Sequence, residues 1–374
     1  MRAVPTTALE MASALRESAA SGRSLRLEGA STKRRMAGRA DASADEVVTT
    51  GLSRVIEYEP RDLTISVEAG VKYAELSRLV AGHRQMLPLD PPCAAEATVG
   101  GVIATNSSGP RRRLYGTARD MVIGMKFATV DGELLESGGM VVKNVAGLDV
   151  QKILIGSFGT LGAIASVNFR LYPMPEATRT YVQIFTSAAE CAAARDEVLR
   201  GALQPAALDA LNPAAAAQAG LEGFCLLVRA GGSEGVLARY GRELRGAAEF
   251  EGAREAEMWA AIENWPARQR YVVRAGHALK ALGDVLESAP AAVVSRAGTG
   301  VSYLSFGDAQ QLAAWMARTQ GAGWTRIVEW SPDGDETIPE LWPDAGADLS
   351  LMTGMKKLFD PKGVLNRGRL YGRI

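Results

Sequence analysis

The sequence predicts a two-domain α+β protein, and three observations predict it. The chain has 374 residues, more than one hydrophobic core usually spans. Roughly the first 175 residues set strand-type runs beside two glycine-rich loops. After Pro173 and Pro175 the composition turns Ala-rich, and strand candidates alternate with helix-period stretches.

The elements follow in order. "MRAVPTTALEMASALRESAASGRS" has no apolar core of signal-peptide type, because Glu10, Arg16 and Glu17 interrupt it. It reads as a short amphipathic helix. "SLRLEGASTKRRMAG" begins as a strand and opens into a small-residue loop. "DLTISVE" alternates Leu63, Ile65 and Val67 with Thr64, Ser66 and Glu68, the pattern of a half-buried strand. Tyr73, Leu76 and Val80 then follow a helical period that Gly82 can close. Asp131-Gly132 sits between two strand-like runs and predicts a hairpin. Beyond residue 176, strands are expected at "GFCLLVRA", "RYVVRAG", "AAVVSRAGTGVSYLSF" and "TRIVEW". The tail reads as a helix stopped by Asp360-Pro361.

Composition excludes several classes. Lys+Arg and Asp+Glu both number 42, which argues against a dedicated nucleic-acid or polybasic membrane binder. Three widely spaced cysteines give no disulfide framework or zinc spacing and suit a reducing compartment. No run of about 18 apolar residues is present. Two histidines, His83 and His277, leave no basis for a His-rich metal site.

"TVGGVIATNSSGPRRRLYGTARD", Thr98 to Asp120, carries little side chain and much backbone N–H. Glycine lets a ligand approach the main chain, and such amides bind phosphate oxygens. A surface loop whose glycines only make turns is the plainer alternative. Gly101 is expected at positive φ. A second glycine loop follows at Gly156, Gly159 and Gly162. Neither has the spacing of a Rossmann fingerprint or a P-loop. A dinucleotide here would be held by several separated loops. Arg111, Arg112 and Arg113 read either as phosphate contacts or as a solvated or partner-facing charge run.

"PLDPPCAAEATVGGVIATNSSGPRRRLYGTARDMVIGMKFATVDGELLESGG", "VVKNVAGLDVQKILIGSFGTLGAIASVNFRLYP" and "FDPKGVLNRGR" resemble the FAD-binding domain of the vanillyl-alcohol-oxidase class. Within that class, the small size and the poor second domain resemble the E-type FAD-binding subunits of bacterial glycolate oxidase (glycolate dehydrogenase). The resemblance implies a PCMH-type FAD-binding domain of two α+β subdomains over residues 1–175. It further implies an α+β cap domain of antiparallel sheet plus helices over 176–344, and a C-terminal segment, 345–374, returning to the FAD domain. Gly29, Ala30, Ser31, Thr32 and Lys33 would form the first pyrophosphate loop. Thr98, Gly100 and Gly101 would lie against the pyrophosphate and ribityl part. Asn106, Ser108 and Gly109 would continue to the flavin, with Tyr115 and Gly116 nearby. Gly159, Gly162 and Ile164 would contact the adenosine end, and Asn366 and Arg369 the flavin edge. The first loop lacks a His, and Cys93 reads as a small buried residue, so FAD is expected to be non-covalent.

Catalytic relatives that oxidise 2-hydroxy acids carry a metal-binding His-Ala-Gly-Asp-Gly-Asn-x-His segment. This chain has "RAGTGVSY", with Arg296 and Tyr303 at the histidine positions. Arg offers a metal no lone pair. Arg296 reads as a surface or core-edge arginine, or as one facing the flavin or a partner. Arg274 is a candidate for a substrate carboxylate, and no catalytic group is assigned beyond these three. The resemblance implies an FAD subunit beside a larger catalytic FAD subunit and an iron–sulfur subunit, cytoplasmic or peripheral on the inner membrane face through that complex. It would serve the oxidation of glycolate, and of D-lactate, to the 2-oxo acid as a flavin relay or structural flavin. The alternatives are a stand-alone FAD-dependent hydroxy-acid or alcohol dehydrogenase and a redox-inert FAD scaffold.

Overall fold

The fold was analysed in a computed structural model, which describes residues 2–140, 149–338 and 340–374. Its contacts divide the chain into two units. The first holds Met1–Ser108, Gly116–Met174 and Ala345–Ile374, and the second Gly109–Tyr115 and Pro175–Asp344.

In the first unit, β1 (Arg2–Ala3), β2 (Leu25–Glu28) and β3 (Asp45–Val48) form a parallel sheet in the order β1-β3-β2. The helix Ala8–Ser21 begins where the Thr7 hydroxyl accepts the Glu10 amide, and ends at Gly22 with φ +71°. It buries Met11 and Leu15 against Val47, Ala128, Ala163 and Leu365. β4 (Val55–Glu59), β5 (Thr64–Glu68), β7 (Val122–Ala128), β8 (Leu134–Gly138) and β9 (Ala163–Arg170) make an antiparallel sheet in the order β4-β5-β9-β7-β8. β6 (Gln85–Met86) and β10 (Tyr172–Pro173) pair separately.

β5 corrects the half-buried expectation. All five of its residues are buried, because it is an inner strand and both faces are covered. Its polar side chains are accommodated individually. Glu68 accepts the Arg54 amide and guanidinium, both at 2.8 Å.

The second unit is one antiparallel sheet of eight strands with helices. The strands are β11 (Ala177–Phe185), β12 (Ala207–Leu211), β13 (Phe224–Gly232), β14 (Ala248–Phe250), β15 (Tyr271–Gly276), β16 (Val293–Arg296), β17 (Val301–Phe306) and β18 (Thr325–Trp330). Their order is β14-β11-β13-β12-β16-β17-β15-β18. The run "AAVVSRAGTGVSYLSF" is two strands, β16 and β17, not one. A turn at Ala297 to Gly300 folds them together, with Gly300 at φ +69°.

The tail is tied back to the start of the chain. The helix Asp348–Phe359 stops at Asp360-Pro361, and the Asp360 carboxylate is buried. It accepts the Val364 amide at 3.0 Å, the Leu365 amide at 2.7 Å and the Lys356 ammonium at 2.6 Å. Lys356 also reaches the carbonyls of Thr160 and Leu365. The segment so shaped bonds to β2: Leu25 N–H donates to Val364 O and Asn366 N–H to Leu25 O, both at 2.8 Å.

Asp360→Ala should remove these acceptors and leave the half-buried Lys356 ammonium without its carboxylate. The expected loss is about 3–5 kcal/mol in urea unfolding. Adding Lys356→Met should recover part of it. A single variant as stable as wild type would show that the carboxylate does not hold the tail.

Candidate functional site

The first glycine loop follows β2. A Cβ on Gly29 would fall 2.0 Å from Thr98 Oγ1, so this loop touches the second one. Ser31 takes φ +57° and its hydroxyl donates to Glu28. Arg369 holds the loop from behind, donating to the carbonyls of Arg34 (2.8 Å), Gly38 (2.9 Å) and Lys33 (3.2 Å). The amides of Ala30, Ser31, Thr32 and Lys33 find no acceptor among the described residues. Consecutive amides around a left-handed residue form an anion-binding nest. The Lys33 side chain is buried, and its ammonium bonds only neutral oxygens among the described residues: Pro92 O at 3.0 Å and Thr32 Oγ1 at 3.3 Å. Burial pulls its pKa down to about 8, with Cys93 opposing.

The second loop behaves differently from the expectation. Val99–Ala104 is a short helix capped by Thr98, and Gly101 does not have positive φ. Its first amides are already bonded. Val99 donates to Val71 O, Gly100 to Ala69 O, Gly101 to Thr98 Oγ1 and Val102 to Thr98 O. They are not available to a phosphate. Gly100 is required by the chain itself, since a Cβ there would meet Ala69 Cβ at 2.8 Å. A Cβ on Gly101 meets only Thr98 Oγ1, at 3.2 Å. Asn106 has φ +47° and a buried Oδ1 with no partner among the described residues. Ser108 Oγ makes a long bond of 3.5 Å to Asn106 O. Gly109 and Tyr115 belong to the second unit. Gly116, at φ +83°, faces the Asp120 carboxylate of the capping box begun by Thr117.

The third loop is stitched to the second. Gly156 N–H donates to Ile103 O and Phe158 N–H to Ala104 O. Asn366, expected at the flavin edge, bonds within the protein through both polar atoms of its side chain. Its Oδ1 accepts the Leu27 amide at 2.7 Å and its Nδ2 donates to Phe158 O. A Cβ on Gly159 would sit 2.6 Å from that Nδ2, and one on Gly162 would sit 2.9 Å from Ala128 O. Ile164 is a buried residue of β9 opposite Phe127. These positions shape the site and are not presented to a ligand by their own polar atoms. The "VVKNVAGL" motif, residues 141–148, lies outside the described residues.

The second unit gathers the other candidates. Arg296 is neither a surface nor a core-edge residue. It is 4% exposed and pairs with Asp209, itself 0% exposed. Its guanidinium also lies 5.5 Å from the Tyr303 ring centroid. Arg274 pairs with Glu329 at 2.9 Å, so a protein carboxylate already engages it. Burial raises the Tyr303 pKa, Glu329 adds to this, and Arg296, Arg274 and Arg112 oppose it. Arg113 is not a solvated charge. It donates to Pro205 O and packs on Gly298, where a Cβ would approach within 2.7 Å. His277 bonds Ser302 Oγ at 2.8 Å, which in turn bonds Ser295, and burial lowers its pKa. Asp209, Glu329 and the serine pair were not singled out in sequence; Asp209 and Glu329 meet their arginines from strands far apart in the chain, and the serines face each other across the β16–β17 hairpin.

An unclaimed amide nest, a buried ammonium and the orphaned Asn106 oxygen suit one kind of ligand. It is anionic and also carries hydrogen-bond donors, as FAD does. Similarity to known proteins agrees. The FAD binding domain family matches residues 1–138. Glycolate oxidase subunit GlcE of Escherichia coli (strain K12) is 37% identical over 125 residues, 33% of this chain and 36% of the relative. Glycolate oxidase subunit GlcD of Bacillus subtilis (strain 168) is 31% identical over 161 residues, 43% of this chain and 34% of the relative. The match therefore spans about a third of the length of these relatives. The structure of 4-ethylphenol oxidase from Gulosibacter chungangensis superposes with TM-score 0.76 at 14% identity, over 99% of this chain and 89% of that one. Among the described residues no helix is long and apolar enough to cross a membrane. Residues 1–138 thus match the FAD binding domain family, and the chain shares the fold of the 4-ethylphenol oxidase structure.

Proposed function

We propose that the chain is the FAD-holding subunit of a hydroxy-acid-oxidising complex of the glycolate oxidase type. A larger catalytic flavoprotein subunit takes hydride from glycolate or D-lactate, and an iron–sulfur subunit carries electrons onward. The flavin of this chain is a relay or a structural element. The names of the subunit relatives support membership of such a complex.

The observation that carries the division of labour is the buried Arg296–Asp209 pair. A guanidinium has no lone pair for a metal and repels a divalent cation. It is held by a carboxylate that would otherwise be a candidate ligand. Oxidation of a hydroxy acid needs a positioned base or metal for the hydroxyl proton, worth orders of magnitude in rate. In this reading the partner supplies it.

Isolated FAD-loaded chain should therefore turn over neither glycolate nor D-lactate with a dye acceptor, with or without added divalent metal. The reconstituted complex should turn over glycolate. Robust turnover by the chain alone would favour a stand-alone dehydrogenase. That second reading has one observation behind it: Arg112, Arg274 and Arg296 bear electrostatically on Tyr303, although Glu329 bears on it too and Glu329 and Asp209 already pair with Arg274 and Arg296. Full complex activity without flavin in this chain would favour a redox-inert scaffold.

FAD is held non-covalently, with Cys93 unattached. Acid precipitation should leave the flavin in the supernatant. Yellow protein in the washed pellet would contradict this.

Two neighbouring glycines should separate cofactor from fold. Gly101→Leu should abolish FAD absorbance while keeping the far-UV circular dichroism of the apo chain, because its Cβ meets little protein. Gly100→Leu should lose the fold itself against Ala69. Normal flavin content in Gly101→Leu would remove the second loop from the site.

A further inference from the structure

We propose that Lys33 is the counter-cation to negative charge brought by bound FAD, and that its protonation is coupled to the cofactor. The proposal rests on the reading that residues 29–33 and the loops around them hold FAD. Three features of the geometry carry it. The side chain is buried in the protein, at 6% exposure. Its only acceptors among the described residues are a carbonyl and a hydroxyl, Pro92 O and Thr32 Oγ1. It also lies within the four-residue run of amides that have no acceptor there, Ala30 to Lys33. A buried charge is retained only when paired, and no carboxylate among the described residues pairs this one. An anion in the amide nest would meet both the N–H donors and the ammonium.

The linkage has a defined sign. Burial holds the ammonium near pKa 8 in the free chain, and the Cys93 thiol is the titratable neighbour that bears on it. An adjacent anion raises that pKa. Below pH 8 the ammonium is already present, so FAD binding moves no proton. Above pH 8 the free chain has lost the proton, and binding must take it up. FAD affinity should then fall by up to about tenfold per pH unit above 8.

The experiment is calorimetric titration of apo chain with oxidised FAD in two buffers of different ionisation enthalpy, at pH 6.5 and pH 9. Wild type should take up close to one proton per FAD at pH 9 and almost none at pH 6.5. Lys33→Met should show no uptake at either pH and should bind FAD about ten- to a hundredfold more weakly at pH 6.5. Cys93→Ser should keep the uptake. Uptake on binding oxidised FAD assigns the charge to the diphosphate. No uptake by wild type on binding at pH 9, or unchanged uptake in Lys33→Met, overturns the proposal. FAD bound by wild type without proton movement removes the role of Lys33 alone. Failure of wild type to bind FAD removes the reading of the site itself.

Discussion

The Asp360 carboxylate is the constraint on which the rest of the first unit depends. It is fully buried, yet three donors converge on it: two amides of the following turn and the Lys356 ammonium. That turn aims Val364 and Leu365 into the core and lays the backbone beside β2. Asn366 then clamps β2 to the third glycine loop through Leu27 and Phe158. Three residues later Arg369 gathers the carbonyls of the first loop. One charged side chain thus fixes two loops that lie more than a hundred residues apart in sequence. With its carbonyls turned toward Arg369, the first loop leaves the amides of Ala30 to Lys33 for a ligand.

The glycines divide by the reason each is needed. Gly100, Gly159 and Gly162 are small because protein atoms already occupy the space a Cβ would take. Gly29 is small because the Thr98 side chain lies against it. Gly101 alone of the second-loop pair leaves room outside the protein's own packing. In the proposed FAD site the second loop would therefore contribute mainly shape, and the first the donors. The sequence reading gave free amides to both loops. In the second loop they are bonded, for a physical reason. Whether an amide is free depends on residues such as Ala69 and Val71, which reach Gly100 and Val99 only after folding.

Much of the architecture was legible. The period change at Tyr73, the Asp131-Gly132 turn and the Asp360-Pro361 stop each lie close to an observed element boundary. β12 was not among the expected strands: "ALDAL" is short and lies in an Ala-rich region, and pairing with β13 and β16 makes it a strand. That strand carries Asp209, whose pairing with Arg296 across the β12–β16 ladder could not be read from either segment alone. The substitution at Arg296 was visible, but its meaning was not. The arginine is neither presented to solvent nor unpaired. It is locked into the sheet with its own carboxylate, which makes the position incompatible with a metal ligand rather than merely lacking one.

Amide hydrogen exchange, residue by residue, on the apo chain and on the same chain loaded with FAD, tests most directly whether the first loop holds the phosphates. Ala30, Ser31, Thr32 and Lys33 should exchange freely without FAD and become protected with it. Val99, Gly100 and Val102, already bonded within the protein, should be protected equally in both states. Protection gained at residues 99–102 with none at 30–33 would contradict this, and would return the phosphate-binding role to the second loop.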